Sequence, residues 1–251
     1  MKNVIVFALI LAAVCGCSPA HTVVSGKNMS VVFFDVGQGD SALIITADSR
    51  KILVDCGEFN NTAFYLKEMN ITYIDVLIET HPDKDHIGGC KEAKRVAEIG
   101  AVLTNENVEE DFILNLTETA FIEVIVAYDS NGRFKGDNDN SVLLRATYGD
   151  IRFLFTGDCE WKCENEIVKS GGIKADILKA GHHGSKHSST QKFLEKVNPA
   201  IAVVSAGRGN RYGHPANEAL ERLKNIGADV LRTDLNGTII ITTDGSSFNA
   251  I

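Results

Sequence analysis

Four side chains able to ligate a metal fall within six residues of one another, at His81, Asp83, Asp85 and His86 in the run Thr80-His81-Pro82-Asp83-Lys84-Asp85-His86-Ile87-Gly88-Gly89. Imidazole and carboxylate together suit zinc, manganese or iron. His81, Asp83 and Asp85 alternate, so in extended backbone they share a face, while His86 points elsewhere and suits a second ion beside the first. Pro82 discourages a helix through this segment, and Gly88-Gly89 lets the backbone bend tightly after it. The same residue types recur at Asp35 and Asp40, Asp55, Asp158, and His182 and His183. Two closely spaced ions sharing a carboxylate acidify a water for attack on an ester or phosphodiester. Asp158 is the natural bridge, because it follows an apolar run and Gly157 leaves room beside it.

These groups lie far apart along the chain, so the elements must gather them. Residues 31–34 read as a strand, and 42–46 with 51–54 as a hairpin. A helix is expected over 62–69, a strand over 73–79, a helix over 90–99 and a short strand at 101–103. Residues 105–119 carry no clear pattern. A strand at 121–128 and a polar loop at 129–140 lead into a second hairpin, 141–147 with 151–155. Helices at 160–170, 190–197 and 216–226 alternate with strands at 175–180 and 201–204, the last helix stopping at Gly227. Residues 230–231 and 238–242 read as closing strands around an Asn236-Gly237 turn. Two such blocks predict an α/β fold: a four-layer α/β/β/α sandwich in one domain, residues 30–251, with its loops collected along one edge.

The N-terminus reads differently. Lys2 precedes an apolar run at 4–14, too short to span a bilayer but suited to a signal-peptide core. Gly16-Cys17 then resembles a lipoprotein acceptor site. Residues 1–17 are expected to be a signal, Cys17 a lipid anchor on the outer face of a membrane, and 18–29 a tether, with plain secretion as the alternative. Export leaves Cys56, Cys90, Cys159 and Cys163 in an oxidising compartment. A Cys159–Cys163 contact is expected, with Cys56 and Cys90 as small buried hydrophobes. The net charge of −8 argues against non-specific adhesion to nucleic acid.

His81-x-Asp83-x-Asp85-His86 resembles the hallmark of the metallo-β-lactamase superfamily, in the variant with aspartate for the second histidine. Residues 34–41, Phe-Asp-Val-Gly-Gln-Gly-Asp-Ser, resemble the extracytoplasmic domain of the ComEC family of DNA-uptake competence proteins. So do Phe155-Thr156-Gly157-Asp158, the run Lys179-Ala180-Gly181-His182-His183-Gly184-Ser185, and Tyr212-Gly213-His214-Pro215. The resemblance covers residues 30–244. It implies two divalent ions, zinc or manganese. His81 and Asp83 hold one; Asp85, His86 and one of His182 and His183, with His182 preferred, hold the other; Asp158 bridges. The resemblance also implies that His183 donates a proton or touches substrate, that Asp85 orients the attacking water, and that His214 faces the scissile phosphate or leaving group.

The superfamily's further histidine ahead of the bridging aspartate is missing, and Asn138, Asp139 and Asn140 are the nearest candidates, Asn140 being a weak ligand. Asp35, Asp40 and Asp55 are expected to form turns or support the ligands. Lys179, Lys186, Arg208 and Arg211 offer a polyanion contact or simply a solvated charged face. No apolar run after the signal is long enough to cross a membrane, so only the hydrolase-like part of a competence channel is expected. The reading is an exported phosphodiesterase or nuclease acting on DNA. Its alternatives are a phosphocholine-ester or lactone hydrolase, and a non-catalytic binding module with a degenerate site.

Overall fold

The computed structural model describes residues 28–108, 112–125, 134 and 138–251. The signal-like segment, Cys17 and most of the tether lie outside them, as do parts of the strand at 121–128 and of the loop at 129–140.

Among the described residues, two seven-stranded sheets carry the chain. The first contains β1 (Met29–Phe33), β2 (Ala42–Ile45), β3 (Lys51–Val54), β4 (Tyr73–Glu79), β5 (Glu98–Thr104), β13 (Ile239–Thr243) and β14 (Phe248–Ala250), in the order β14-β13-β1-β2-β3-β4-β5. The second contains β6 (Ile113–Asn115), β7 (Ala120–Ile125), β8 (Leu143–Tyr148), β9 (Ile151–Phe155), β10 (Ile177–Lys179), β11 (Ile201–Val204) and β12 (Asp229–Arg232), in the order β12-β11-β10-β9-β8-β7-β6.

Alternation along the strands divides the core. Val31, Phe33, Ile44 and Ile52 point between the sheets and meet Phe153, Phe155 and Ile177, with the Phe33 and Phe155 rings 5.7 Å apart. Val32, Leu43 and Leu53 face the other way, onto Leu66 of α1 (Asn61–Glu68) and Ala93 of α3 (Cys90–Val96), which follows the single-turn helix α2 (Lys84–Ile87). Leu154 and Leu178 likewise face α4 (Trp161–Ser170), α5 (Gln191–Val197) and α6 (Asn217–Asn225) through Ile167, Phe193, Leu194 and Leu223. Strands covered on both faces read as continuous apolar runs, and these do. Helix, sheet, sheet, helix is the four-layer order expected.

Several boundaries differ from expectation. Met29, placed in the tether, is already in β1. The helix from Cys90 ends at Val96: Ala97 turns extended (φ −133°), and Ile99 pairs with Ile74 in β5. The two closing strands are not a hairpin. β12 pairs with β11 in the second sheet, whereas β13 pairs antiparallel with β1 in the first, and the short helix α7 (Thr233–Asn236) carries the chain across. Cys56 and Cys90 are not free hydrophobes but a disulfide, and Cys159 and Cys163 form another. Gly89 lets the start of α3 approach Cys56: a side chain there would lie 2.4 Å from the Cys56 carbonyl oxygen.

Candidate metal centre

The loops leaving β1, β3, β4, β9, β10 and β11 meet at one edge. Asp55, just past β3, organises the loop after β4. Its Oδ1 accepts from Thr80 N (2.8 Å), and its Oδ2 from Thr80 Oγ1 (2.7 Å) and His86 Nδ1 (2.7 Å). Thr80 Oγ1, its proton committed to Asp55, lies 3.1 Å from His81 Nδ1 and accepts from it. His183 Nδ1 lies 3.1 Å from both Ser205 O and Asp40 Oδ1, and His182 Nδ1 lies 2.9 Å from Glu160 Oε1. These partners assign the proton of each ring to Nδ1. All four imidazoles therefore turn Nε2 to the centre, the arrangement in which an outer acceptor orients a metal-binding histidine.

Asp158 faces them with both oxygens. Oδ1 lies 3.1 Å from His86 Nε2 and 3.7 Å from His183 Nε2; Oδ2 lies 3.7 Å from His81 Nε2 and 3.6 Å from His182 Nε2. Asp85 Oδ2 is 3.2 Å from His183 Nε2, and Asp83 Oδ2 is 3.7 Å from His81 Nε2. Two groups result: His81, Asp83 and His182 around one oxygen, and Asp85, His86 and His183 around the other.

This donor set fits metal ions. The Nε2 atoms of His81, His86 and His183 and the Oδ1 of Asp158 are buried without a hydrogen-bond partner. Buried polar atoms left unpaired cost free energy, and a cation among them would satisfy all four. Donor atoms of Asp40, His86, Asp158 and His183 lie within 4.8 Å of one another. Asp40 itself is engaged from behind, its Oδ2 2.7 Å from Lys179 Nζ.

The backbone is bent to reach this geometry. His182 and His183 are both left-handed (φ 47° and 52°) within the turn Gly181–Gly184. Two successive non-glycine residues in that region persist only when the surroundings enforce them. Before Asp158, Gly157 (φ 50°) packs on Ser141, whose Oγ accepts from Asp158 N at 3.0 Å.

The electrostatics of the metal-free site follow from the same contacts. Burial disfavours charge on His183, yet Asp158 and Asp40 raise it to about 9. Burial likewise opposes protonation of His86, and Asp158 and Asp55 hold it well above the usual imidazole range. Burial would raise Asp158, but His86 and His183 keep it well below the carboxylate range. His81 is lowered by burial and by His86. His214 is lowered to about 4 by burial, His182 and His183.

The structure therefore brings together His81, Asp83, Asp85, His86, Asp158, His182 and His183. The last two exchange the places expected of them: His183 sits with Asp85 and His86, while His182 sits across Asp158 Oδ2 beside His81. His214 reaches the pocket from the loop after β11, its ring 5.3 Å from that of His182. Asn140 is turned away, its amide bonded to both backbone polar groups of Phe134, while Asn138 lies 3.3 Å from His182 Nδ1. Asp139 accepts from Glu160 N and Cys163 N at the start of α4. Lys179 is 4% exposed and paired with Asp40, so it is no polyanion contact. Thr80, Glu160 and the Ser205 carbonyl have supporting positions that the sequence reading missed. Only Thr80 gave a signal, by abutting His81.

The family model described as metallo-beta-lactamase superfamily matches residues 34–111. The chain is 31% identical to ComE operon protein 3 of Bacillus subtilis, over 83% of this chain and 32% of that protein. It is 31% identical to the competence protein ComA of Neisseria gonorrhoeae, over 84% and 32%. The chain thus spans about a third of the length of these relatives. Among solved structures it is similar to the metallo-beta-lactamase fold protein YhfI of Bacillus subtilis, with TM-score 0.57 and 14% identity over 86% of this chain and 100% of that one. Tm1679, a metal-dependent hydrolase of the beta-lactamase superfamily, gives TM-score 0.54 at 14% identity over 84% and 98%. Among the described residues, no helix is long and apolar enough to cross a membrane.

Proposed function

The chain belongs to the metallo-β-lactamase superfamily, and we propose that it is an exported metal-dependent phosphodiesterase acting on DNA or a similar polyanion. The observation that carries this reading is the two-sided presentation of Asp158, one oxygen to each group of histidines. His81, Asp83 and His182 would hold one divalent ion, and Asp85, His86 and His183 the other, with Asp158 between them. His182 then stands where the superfamily's missing histidine is needed. Zinc and manganese both suit this mixture of imidazole and carboxylate. Such ions, when bound, supply Lewis acidity and lower the pKa of a coordinated water.

The chain's own groups do the rest. Asp55, through Thr80 and directly, holds His81 and His86 in the tautomer that keeps Nε2 free. Asp85, one-quarter exposed at the pocket, accepts a hydrogen bond from the attacking water and orients it. His214, neutral near pH 7, has an N–H to donate to a phosphoryl or leaving oxygen in the pocket. The relative named as a competence protein, with the motifs shared with the DNA-uptake family, makes DNA the first substrate to try.

Export and a lipid anchor at Cys17 belong to the same proposal, and two disulfides suit an oxidising compartment. Cys17→Ala should move the protein from the membrane to the soluble fraction. For the activity, purified protein loaded with manganese or zinc is assayed on a DNA oligonucleotide and on bis(p-nitrophenyl) phosphate, beside Asp158→Ala. Hydrolysis by the wild type and none by the variant is expected. A metal-loaded wild type inert towards both substrates sinks the proposal.

A further inference from the structure

Residues 185–190 follow the His182–His183 turn without helix or strand, yet Ser185, Ser188 and Ser189 are buried. A buried irregular segment cannot satisfy its peptide groups with water, so each N–H and C=O needs a partner from the protein. Two charged side chains supply several of them. Glu164, one turn into α4 and 1% exposed, accepts from Ser189 N, from Thr190 N (2.9 Å) and from Thr190 Oγ1 (2.6 Å). Arg222 on α6 donates through Nε to Ser189 O (2.8 Å) and through Nη2 to Ser188 O (2.8 Å) and Lys186 O (3.0 Å). Ser189 is thus held at both its polar backbone groups, the N–H by Glu164 and the C=O by Arg222. Its backbone is left-handed (φ 53°), as are those of His182 and His183. Non-glycine residues stay in that region only where the surroundings enforce it. The grip passes to the site through two hydrogen bonds: Ser188 Oγ donates to Gly181 O at 2.7 Å, and Ser185 N donates to His182 O at 2.8 Å.

We propose that Glu164 and Arg222 are positioning residues, a two-sided clamp on Ser189 that imposes the left-handed His182–His183 turn and so sends one imidazole to each side of Asp158. The clamp deepens the metal-centre reading and rests on it for its purpose. A carboxylate only accepts and a guanidinium only donates, so the two grip one residue from opposite polarities without competing for the same group. Asp55 fixes His81 and His86 from the first sheet. The clamp fixes His182 and His183 from α4 and α6, the helices that cover the second sheet. The two pairs of histidines can therefore be loosened separately.

The test compares the purified full chain with Glu164→Gln, Arg222→Met and the double variant. Histidine ring nitrogen shifts, read by NMR on metal-free protein, should move at His182 and His183 and stay in place at His81 and His86. Zinc affinity, read by competition with a chelating dye, should fall about tenfold in each single variant. The double variant should lose less than the product of the two, because both act on Ser189. Arg222→Lys should recover only part of the loss, since an ammonium lacks the guanidinium fork. Arg222 is half-buried, so Arg222→Met tests the clamp even where Glu164→Gln fails to fold. Unmoved shifts at His182 and His183, all four histidines moving together, or zinc affinity within twofold of wild type overturns it. The shifts need neither metal nor substrate. If they move as expected while the loaded wild type leaves DNA and bis(p-nitrophenyl) phosphate intact, the clamp stands and the hydrolytic reading falls. Hydrolysis with unmoved shifts gives the reverse.

Discussion

Asp55 Oδ2 lies 2.7 Å from His86 Nδ1 and 2.7 Å from Thr80 Oγ1, so one buried carboxylate fixes both histidines that begin and end the motif. Asp55→Asn keeps the size but loses the charge and one acceptor. Outer partners of this kind typically contribute 10–100-fold in metal affinity, and about that loss is expected here. Competition with a chelating dye checks it. An unchanged affinity would show that Asp55 serves the turn alone.

His183 gives a signed pH dependence. Its folded pKa is raised to about 9 in the metal-free protein, above the unfolded value near 6.5. The stability it contributes is therefore fully present below about pH 6.5 and is lost as the pH rises through about 9. Thermal midpoints of metal-free wild type and His183→Gln should differ most below pH 6.5 and converge towards pH 9. Metal binding must displace that proton, so apparent metal affinity should rise over the same interval. Parallel melting curves across the range would contradict the assignment.

Gly157 leaves no space for a methyl group. A Cβ there would lie 2.8 Å from Ser141 Cβ, and the backbone is left-handed. Gly157→Ala should cost roughly 2–4 kcal/mol from overpacking and backbone strain together. Because Ser141 Oγ holds Asp158 N, metal content should fall as well. Denaturant melts and elemental analysis of the same preparation measure the two effects.

The disulfides should contribute unequally. Cys56–Cys90 spans 34 residues and Cys159–Cys163 spans 4. Chain-entropy arguments give about 4 kcal/mol for the larger loop and about 2 kcal/mol for the smaller. Cys56→Ser with Cys90→Ser should therefore lower the melting temperature more than the other pair of changes. It should also loosen metal binding, since Cys56 N donates to His86 O at 2.7 Å. Calorimetry of the two double variants decides the order.

The sequence made local things visible. The β2–β3 and β8–β9 hairpins, the longer helices and the clustered candidate ligands of residues 81–86 follow from periodicity and residue type within a short window, whereas the single-turn helices at 84–87 and 233–236 do not. What it hid depends on partners distant along the chain. Nothing near Lys179 says that Asp40 will neutralise it inside the protein. Nothing near Cys56 announces Cys90. His182 and His183 are adjacent and chemically identical, so only the left-handed turn decides which reaches Asp85. The Asn236-Gly237 pair does not make the expected turn: Asn236 ends α7 and Gly237 caps it, because a turn propensity carries no information about the sheet each flanking strand will join.

The pairing of β1 with β13 has a consequence for biogenesis. Residues 29–33 are held on one side by residues 239–243, which are made long after them. During synthesis, β1 can gain β2 as a neighbour early. Its other flank stays an open, apolar edge until residue 239 has emerged. Such an edge is a template for pairing with another chain for as long as it stays open.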